Sequence, residues 1–192
     1  MARPNRTILI GLLWAGLVAI GLARVLAHQF TPGLEAKYSG EWTRDLPLRR
    51  EADRPTLVVL VHPKCPCTRA SLSELDRIVA RCGRKLTAYA VYLKPKGSGV
   101  DWDYTSDSPG VRAVPDEGGT IARMLGASTS GQALLFDRSG RLVFSGGITH
   151  SRGHEGDNPG RDAIVSLVLT GHAALARTPV FGCSLLDSRG TP

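Results

Sequence analysis

The chain has 192 residues, 42% of them hydrophobic, which suits one cored domain with a short appendage. Four cysteines are too few for a disulfide scaffold, so each is judged by its place. The formal charge is +7, but Arg3, Arg6 and Arg24 fall among the first 27 residues with no acid, leaving about +4 on the rest; with no long like-charged run and no basic stripe among aromatics, the sequence argues against nucleic-acid binding.

Arg3 and Arg6 precede an almost unbroken apolar run, TILIGLLWAGLVAIGL, and after Arg24 come Val25, Leu26 and Ala27. Residues 7–27, at about 1.5 Å per residue, are long enough to cross a hydrocarbon core of about 30 Å. Arg24 lies near one end, from which its long side chain can reach the interface. The flanking charge predicts a cytoplasmic N-terminus and an extracytoplasmic remainder. A retained signal anchor over 1–27 is the preferred reading. A cleaved signal peptide ending at Ala27 is the alternative and places the domain in the same compartment.

Residues 28–54 carry Pro32, Gly33, Gly40 and Pro47 without a steady period and read as a tether. The domain is expected over 55–175. Thr56–Val61 (TLVVLV) reads as a buried strand ended by His62 and Pro63. A helix follows, with Leu72, Leu75, Ile78, Val79 and Cys82 on one face. Its start is predicted at a Ser71-x-x-Glu74 capping box or at Thr68, and its end at Gly83. Residues 86–93 (LTAYAVYL) form a second strand. Residues 94–117, rich in Gly, Pro, Asp and Ser, read as a long surface connection in which Trp102 and Tyr104 line a cleft or cover the core. A short helix is expected over 120–125. Residues 133–136 and 142–144 flank the turn Asp137-Arg138-Ser139-Gly140 and predict a hairpin. Asn158 with Pro159 predicts the N-cap of a last helix whose inner face is Ile164, Leu167 and Val168. Residues 176–192 read as a loop-like tail. The order β-α-β, short helix, hairpin, α implies a mixed sheet covered by helices.

Cys65-Pro66-Cys67 stands where the first strand ends and the helix begins. The free N–H groups and positive dipole end of a helix start stabilise a thiolate, the form active in disulfide exchange and in metal binding. Lys64 and Arg69 add positive charge. A disulfide between cysteines separated by Pro66 alone closes a small, strained ring, which makes it easier to reduce. As a structural staple such a pair gains little, because the loop it closes is tiny.

At this motif the chain resembles the thioredoxin-like superfamily, especially membrane-anchored periplasmic proteins of the TlpA and redoxin type. The resemblance rests on Cys67-Thr68-Arg69-Ala70-Ser71-Leu72 after the strand and on Leu134-Leu135-Phe136-Asp137-Arg138-Ser139-Gly140-Arg141-Leu142-Val143 at the hairpin. It implies an α/β three-layer sandwich with a mixed central sheet, here preceded by one transmembrane helix. It also implies an extracytoplasmic thiol–disulfide oxidoreductase without a cofactor, acting on protein thiols or disulfides or on a membrane redox partner. The spacing is one residue short of the family's Cys-x-x-Cys. His62-Pro63-Lys64 replaces the usual tryptophan context. At the family's cis-proline position stands Gly131, after Ser130.

In that family the loop after the hairpin lies beside the active cysteines, which implies a place near Cys65 for His150 and His154, oriented by Glu155, Asp157 and Arg161. Cys65 is then expected to attack and Cys67 to resolve, with His62, Pro66, His150, His154 and Cys183 in support. The absent proline leaves room for a metal, so a second function stays open: a copper or zinc metallochaperone with Cys65, Cys67, His154 and Cys183 as ligands. A third is a catalytically silent adaptor. Cys82, on the apolar helix face, is expected as a core thiol.

Overall fold

The computed structural model describes residues 6–38, 40–99, 102 and 108–186. Two compact units divide at Thr31 and Pro32. The first is one helix, α1 (Arg6–Phe30), none of whose residues is buried. It is long and apolar enough to cross a membrane.

The second unit is a six-stranded sheet with helices on its faces. Its elements are β1 (Thr56–Val61), α2 (Thr68–Cys82), β2 (Thr87–Lys94), β3 (Val111–Glu117), α3 (Thr120–Met124), β4 (Gln132–Phe136), β5 (Leu142–Gly147), α4 (Pro159–Thr170) and β6 (Arg177–Thr178). The strand order is β3-β2-β1-β4-β5-β6. β1 pairs parallel with β2 from Thr56 opposite Thr87, and antiparallel with β4. All six residues of β1 are buried, as a central strand covered on both faces requires.

Alternation along the strands sorts their side chains into two cores. Leu57, Val59 and Val61 pack with Leu75, Ile78 and Cys82 of α2 and Ile164 and Val168 of α4. Val58 and Leu60 face the other way, toward Ile121, Ala122, Phe136 and Leu185. The result is the three-layer sandwich with a mixed sheet. Asn158 caps α4 as its sequence predicts, its side-chain oxygen accepting from the Arg161 N–H at 2.7 Å with Pro159 in the first turn.

Several expectations are corrected. The connection over 94–117 contains β3, an edge strand parallel to β2. Most of its side chains are exposed or half-buried and it includes Pro115, so it has no hydrophobic signature, and an edge tolerates the proline. The segment read as a tether joins the second unit from Pro32 onward: Ala36, Leu46 and Leu48 are buried in the second core. The described part of the tail is likewise not loose, since β6 pairs with β5, and Val180 and Leu185 are buried. No capping box forms on α2. Cys67 is the N-cap residue without a side-chain cap, the Ser71 hydroxyl donates to the Cys67 carbonyl, and Glu74 turns inward. Among the described residues no peptide bond is cis, and Gly131 has φ of 89°. Tyr104 lies outside the described residues.

Candidate functional site: a three-cysteine cluster

The end of β1 and the start of α2 hold the first two cysteines. The Cys65 N–H donates to the His62 carbonyl at 2.9 Å, the Thr68 N–H to the Cys65 carbonyl at 3.0 Å and the Ser71 N–H to the Cys67 carbonyl at 3.2 Å. The Thr68 hydroxyl donates to the His62 carbonyl at 2.7 Å. These bonds wind the chain from strand into helix and bury both cysteines.

The third cysteine comes from the tail. Residues after β6 run back along the segment before β4: the Ser130 N–H donates to the Cys183 carbonyl and the Leu185 N–H to the Ser128 carbonyl, each at 2.8 Å, around an antiparallel bridge between Thr129 and Ser184. This puts the Cys183 sulfur 2.8 Å from the Cys65 sulfur. The distance alone leaves either thiol as donor.

Burial works to raise the Cys65 thiol, but hydrogen bonds from the side chain and backbone of Cys183 and from Cys67 outweigh it and pull Cys65 below the ordinary thiol value. Cys67 is raised, by burial first and then by the negative charge of Cys65 beside it. Cys183 is pushed up to about 12 by burial, by its hydrogen bond to Cys65 and by the charges of Cys65 and Cys67. Cys65 is therefore the most acidic of the three thiols, and the other two are held less acidic by its presence.

The loop after β5 approaches from the other side. Its Arg152 places positive charge near Cys67 and Cys183, and a Gly153 backbone hydrogen bond favours ionisation of Cys67. The Arg152 guanidinium also donates to the Gly182 carbonyl, tying this loop to the tail. Thus the loop comes to the cysteines as the resemblance implies, while the cationic group it brings is Arg152. His150 and His154 are exposed and face each other, with ring centroids 6.2 Å apart.

Glu74 anchors this loop from beneath. Its carboxylate is wholly buried and accepts from Arg77 at 2.6 Å, from the Gly156 N–H at 2.8 Å, from Arg161 at 2.9 Å and from Asn158 at 3.3 Å. Glu155 accepts from the Ser73 hydroxyl at 2.8 Å, and Asp157 from Arg161 at 2.9 Å. Glu155 and Arg161, expected to orient histidines, instead fasten the loop and α4 to α2, and Asp157 pairs with Arg161 on α4.

The His62 backbone N–H donates to the Ser130 hydroxyl at 2.9 Å, and the ring Nδ1 accepts from the Lys64 backbone N–H at 3.1 Å. Burial lowers its pKa from the ordinary histidine value, and the nearby Lys64 charge acts in the same direction. Trp102 stands edge to face with it at 5.4 Å, and the Lys64 ammonium lies 4.4 Å from the Trp102 ring centre. Cys82 is in the first core, its thiol raised by burial. Among the described residues no group of three or more His, Cys, Asp or Glu side chains is arranged to hold a metal ion.

No family model and no curated protein matches the sequence. Among solved structures, the chain is similar to an uncharacterized conserved protein from Geobacillus kaustophilus, with TM-score 0.58 and 20% identity over 81% of this chain and 92% of that one. A hypothetical protein from Sinorhizobium meliloti 1021 gives TM-score 0.56 at 20% identity over 81% and 94%. The topology itself is diagnostic: β1 and β2 are parallel around a crossover helix, an antiparallel hairpin lies on the other side of β1, and a final helix packs beside α2. The fold is thioredoxin-like. The exposed lipoprotein thioredoxin of Streptococcus pneumoniae strain TIGR4 aligns more distantly, with TM-score 0.45 and 19% identity over 61% of this chain and 84% of that one. Within this thioredoxin-like domain the cysteine cluster lies at the C-terminal end of β1, where open α/β sheets commonly place their sites.

Arg152 and Ser130 are the site residues that sequence reasoning passed over. Arg152 stood between the two histidines that drew attention, and its signal was its place in the Gly-rich loop after the hairpin.

Proposed function

We propose that the protein is a membrane-tethered, extracytoplasmic thiol–disulfide oxidoreductase. Cys65 supplies the attacking thiolate, and a neighbouring sulfur, Cys67 or Cys183, resolves the mixed disulfide. The observation that carries this reading is the pair of sulfurs 2.8 Å apart with the more acidic one at a helix start. Thiol exchange needs an acidified thiol and a second sulfur within bonding reach, and the lowered Cys65 with its close neighbour fits both needs. An inert core thiol is represented by Cys82, which is also buried but has its pKa raised. The apolar α1, with Arg6 as its first residue and Arg3 before it in the sequence, supports the tether and the extracytoplasmic side. Substrates on this reading are protein thiols or disulfides, or a membrane redox partner.

The test is a redox titration of the full chain in detergent micelles across glutathione buffers, with free thiols counted by alkylation mass shift. Loss of two thiols in one reversible step, absent in Cys65→Ser, supports the reading. A reduced protein that keeps one tightly held copper or zinc ion through those cysteines and shows no reversible step would overturn it in favour of metal handling.

A further inference from the structure

We propose that Cys183 is the resolving thiol, so that the oxidised protein carries a Cys65–Cys183 disulfide and Cys67 stays outside it. This inference rests on the thiol-exchange reading above and names its second thiol.

The tail holds Cys183 in place by contacts on both sides of it. Upstream, Val180 is fully buried and its carbonyl accepts from the Gly33 N–H at 2.8 Å. Downstream, Leu185 is buried in the second core and pairs with Ser128. Between them, Gly182 passes so close to the Ser130 carbonyl that a Cβ would lie 1.9 Å from its oxygen. Only glycine permits that approach, and the approach carries the next residue's sulfur to Cys65. Such fastening is more than a spare tail thiol needs.

Cys67 is less well suited to the same task. It is fixed in helical conformation at φ −75° and ψ −16° as the N-cap residue of α2, one residue from Cys65 across a proline with locked φ. A disulfide demands a specific relative placement of its two Cβ atoms. The distant pair meets across a chain separation of 118 residues and is not bound by the stiffness of a three-residue turn.

The steps balance. The Cys65 thiolate attacks one sulfur of a substrate disulfide, forming a Cys65–substrate bond and expelling the other substrate sulfur as a thiolate, which takes a proton from water. The Cys183 sulfur then attacks the Cys65 sulfur, the Cys65–substrate bond breaks, and the Cys183 proton ends on the departing substrate thiol. Two electrons pass from the Cys65 and Cys183 thiols to the substrate, which leaves as two thiols. The reverse sequence oxidises a substrate dithiol. The charge of Cys65 is one of the causes that keep Cys183 protonated. Forming the mixed disulfide removes that charge, so Cys183 becomes more acidic at the stage when it must attack.

The full chain in detergent micelles is equilibrated with reduced and oxidised glutathione, quenched in acid, alkylated and digested with trypsin, and its cross-linked peptides are sequenced by mass spectrometry. Cys65 and Cys67 share one tryptic peptide, CPCTR, and Cys183 lies in another, TPVFGCSLLDSR. The expected product joins the two peptides, and the same link persists in Cys67→Ser, which assigns it to Cys65. In Cys183→Ser, glutathione bound to Cys65 accumulates about tenfold or more over wild type, because its resolving attack is gone. A wild-type disulfide within CPCTR, with Cys183 alkylated, would overturn the assignment while leaving thiol exchange intact. Absence of any oxidised species overturns both.

Discussion

Replacing Glu74 by Ala tests how the loop bearing Arg152 is held. Glu74 is fully buried, and Arg161, with a side chain 4% exposed, donates to it at 2.9 Å. Removing the carboxylate leaves the Arg161 guanidinium buried, with the Gly156 carbonyl and the exposed carboxylates of Asp157 and Asp162 as its remaining partners. It also leaves the Gly156 N–H without its acceptor. Breaking a buried ion pair from one side costs about 3–5 kcal/mol. Arg77, 44% exposed, adds little, because it can turn to water. At about 2–4 °C per kcal/mol for a domain of this size, the melting temperature should fall by about 6–20 °C. Thermal and urea unfolding of the full chain in micelles measure this, and the single variants Glu74→Met and Arg161→Met with their double variant complete a cycle. Removing both charges should recover most of the loss, since the buried pair gives little net stability over apolar contacts. A single-variant loss under about 1 kcal/mol, or a double variant no better than the sum of the singles, would refute the claim that a buried guanidinium stripped of its one buried carboxylate is the cause.

Iodoacetamide alkylation of Cys65 should follow a titration midpoint below the ordinary thiol value, because its pKa is lowered and the thiolate persists to lower pH; Cys183→Ala, which removes a hydrogen-bond donor, should move that midpoint upward, and an unchanged midpoint would count against Cys183 as the donor. Gly182→Ala should push the tail off the Ser130 carbonyl at a cost of about 1–3 kcal/mol and speed alkylation of Cys183 several-fold in the reduced protein, read by peptide mass spectrometry; an unaltered rate would show that the close approach does not place the sulfur. A phosphatase reporter fused after Pro192 should be active only outside the cytoplasm, and cytoplasmic activity would contradict the charge-based topology.

Much of the fold is legible in the sequence because its central elements are strongly patterned. The run Thr56–Val61 is apolar throughout, α2 repeats its apolar residues at helical spacing, and Asn158-Pro159 announces α4. β3 is hidden because an edge strand needs no apolar face, and VRAVPDE has the composition of a loop. The segment from Pro32 to Leu48 is hidden because it buries single residues, Ala36, Leu46 and Leu48, without forming a periodic element. Within the site, Cys65 and Cys67 are visible from their place between strand and helix. Their meeting with Cys183 depends on an antiparallel contact between residues near 129 and 184, which nothing local encodes. Glu74 carries the opposite lesson. Its spacing from Ser71 fits a capping box, yet a buried arginine on α4 claims the carboxylate.

The backbone path of the tail also sets the order in which the site comes into being. Chains are made from the N-terminal end, so Cys65 and Cys67 emerge together, while Cys183 follows more than a hundred residues later. Until the segment through Leu185 has arrived and paired beside Ser128, Cys65 has only Cys67 as a companion. The three-sulfur cluster is therefore a property of the finished chain, and a fragment ending at residue 175 would keep the Cys-Pro-Cys motif while lacking the partner that meets Cys65 in the folded protein.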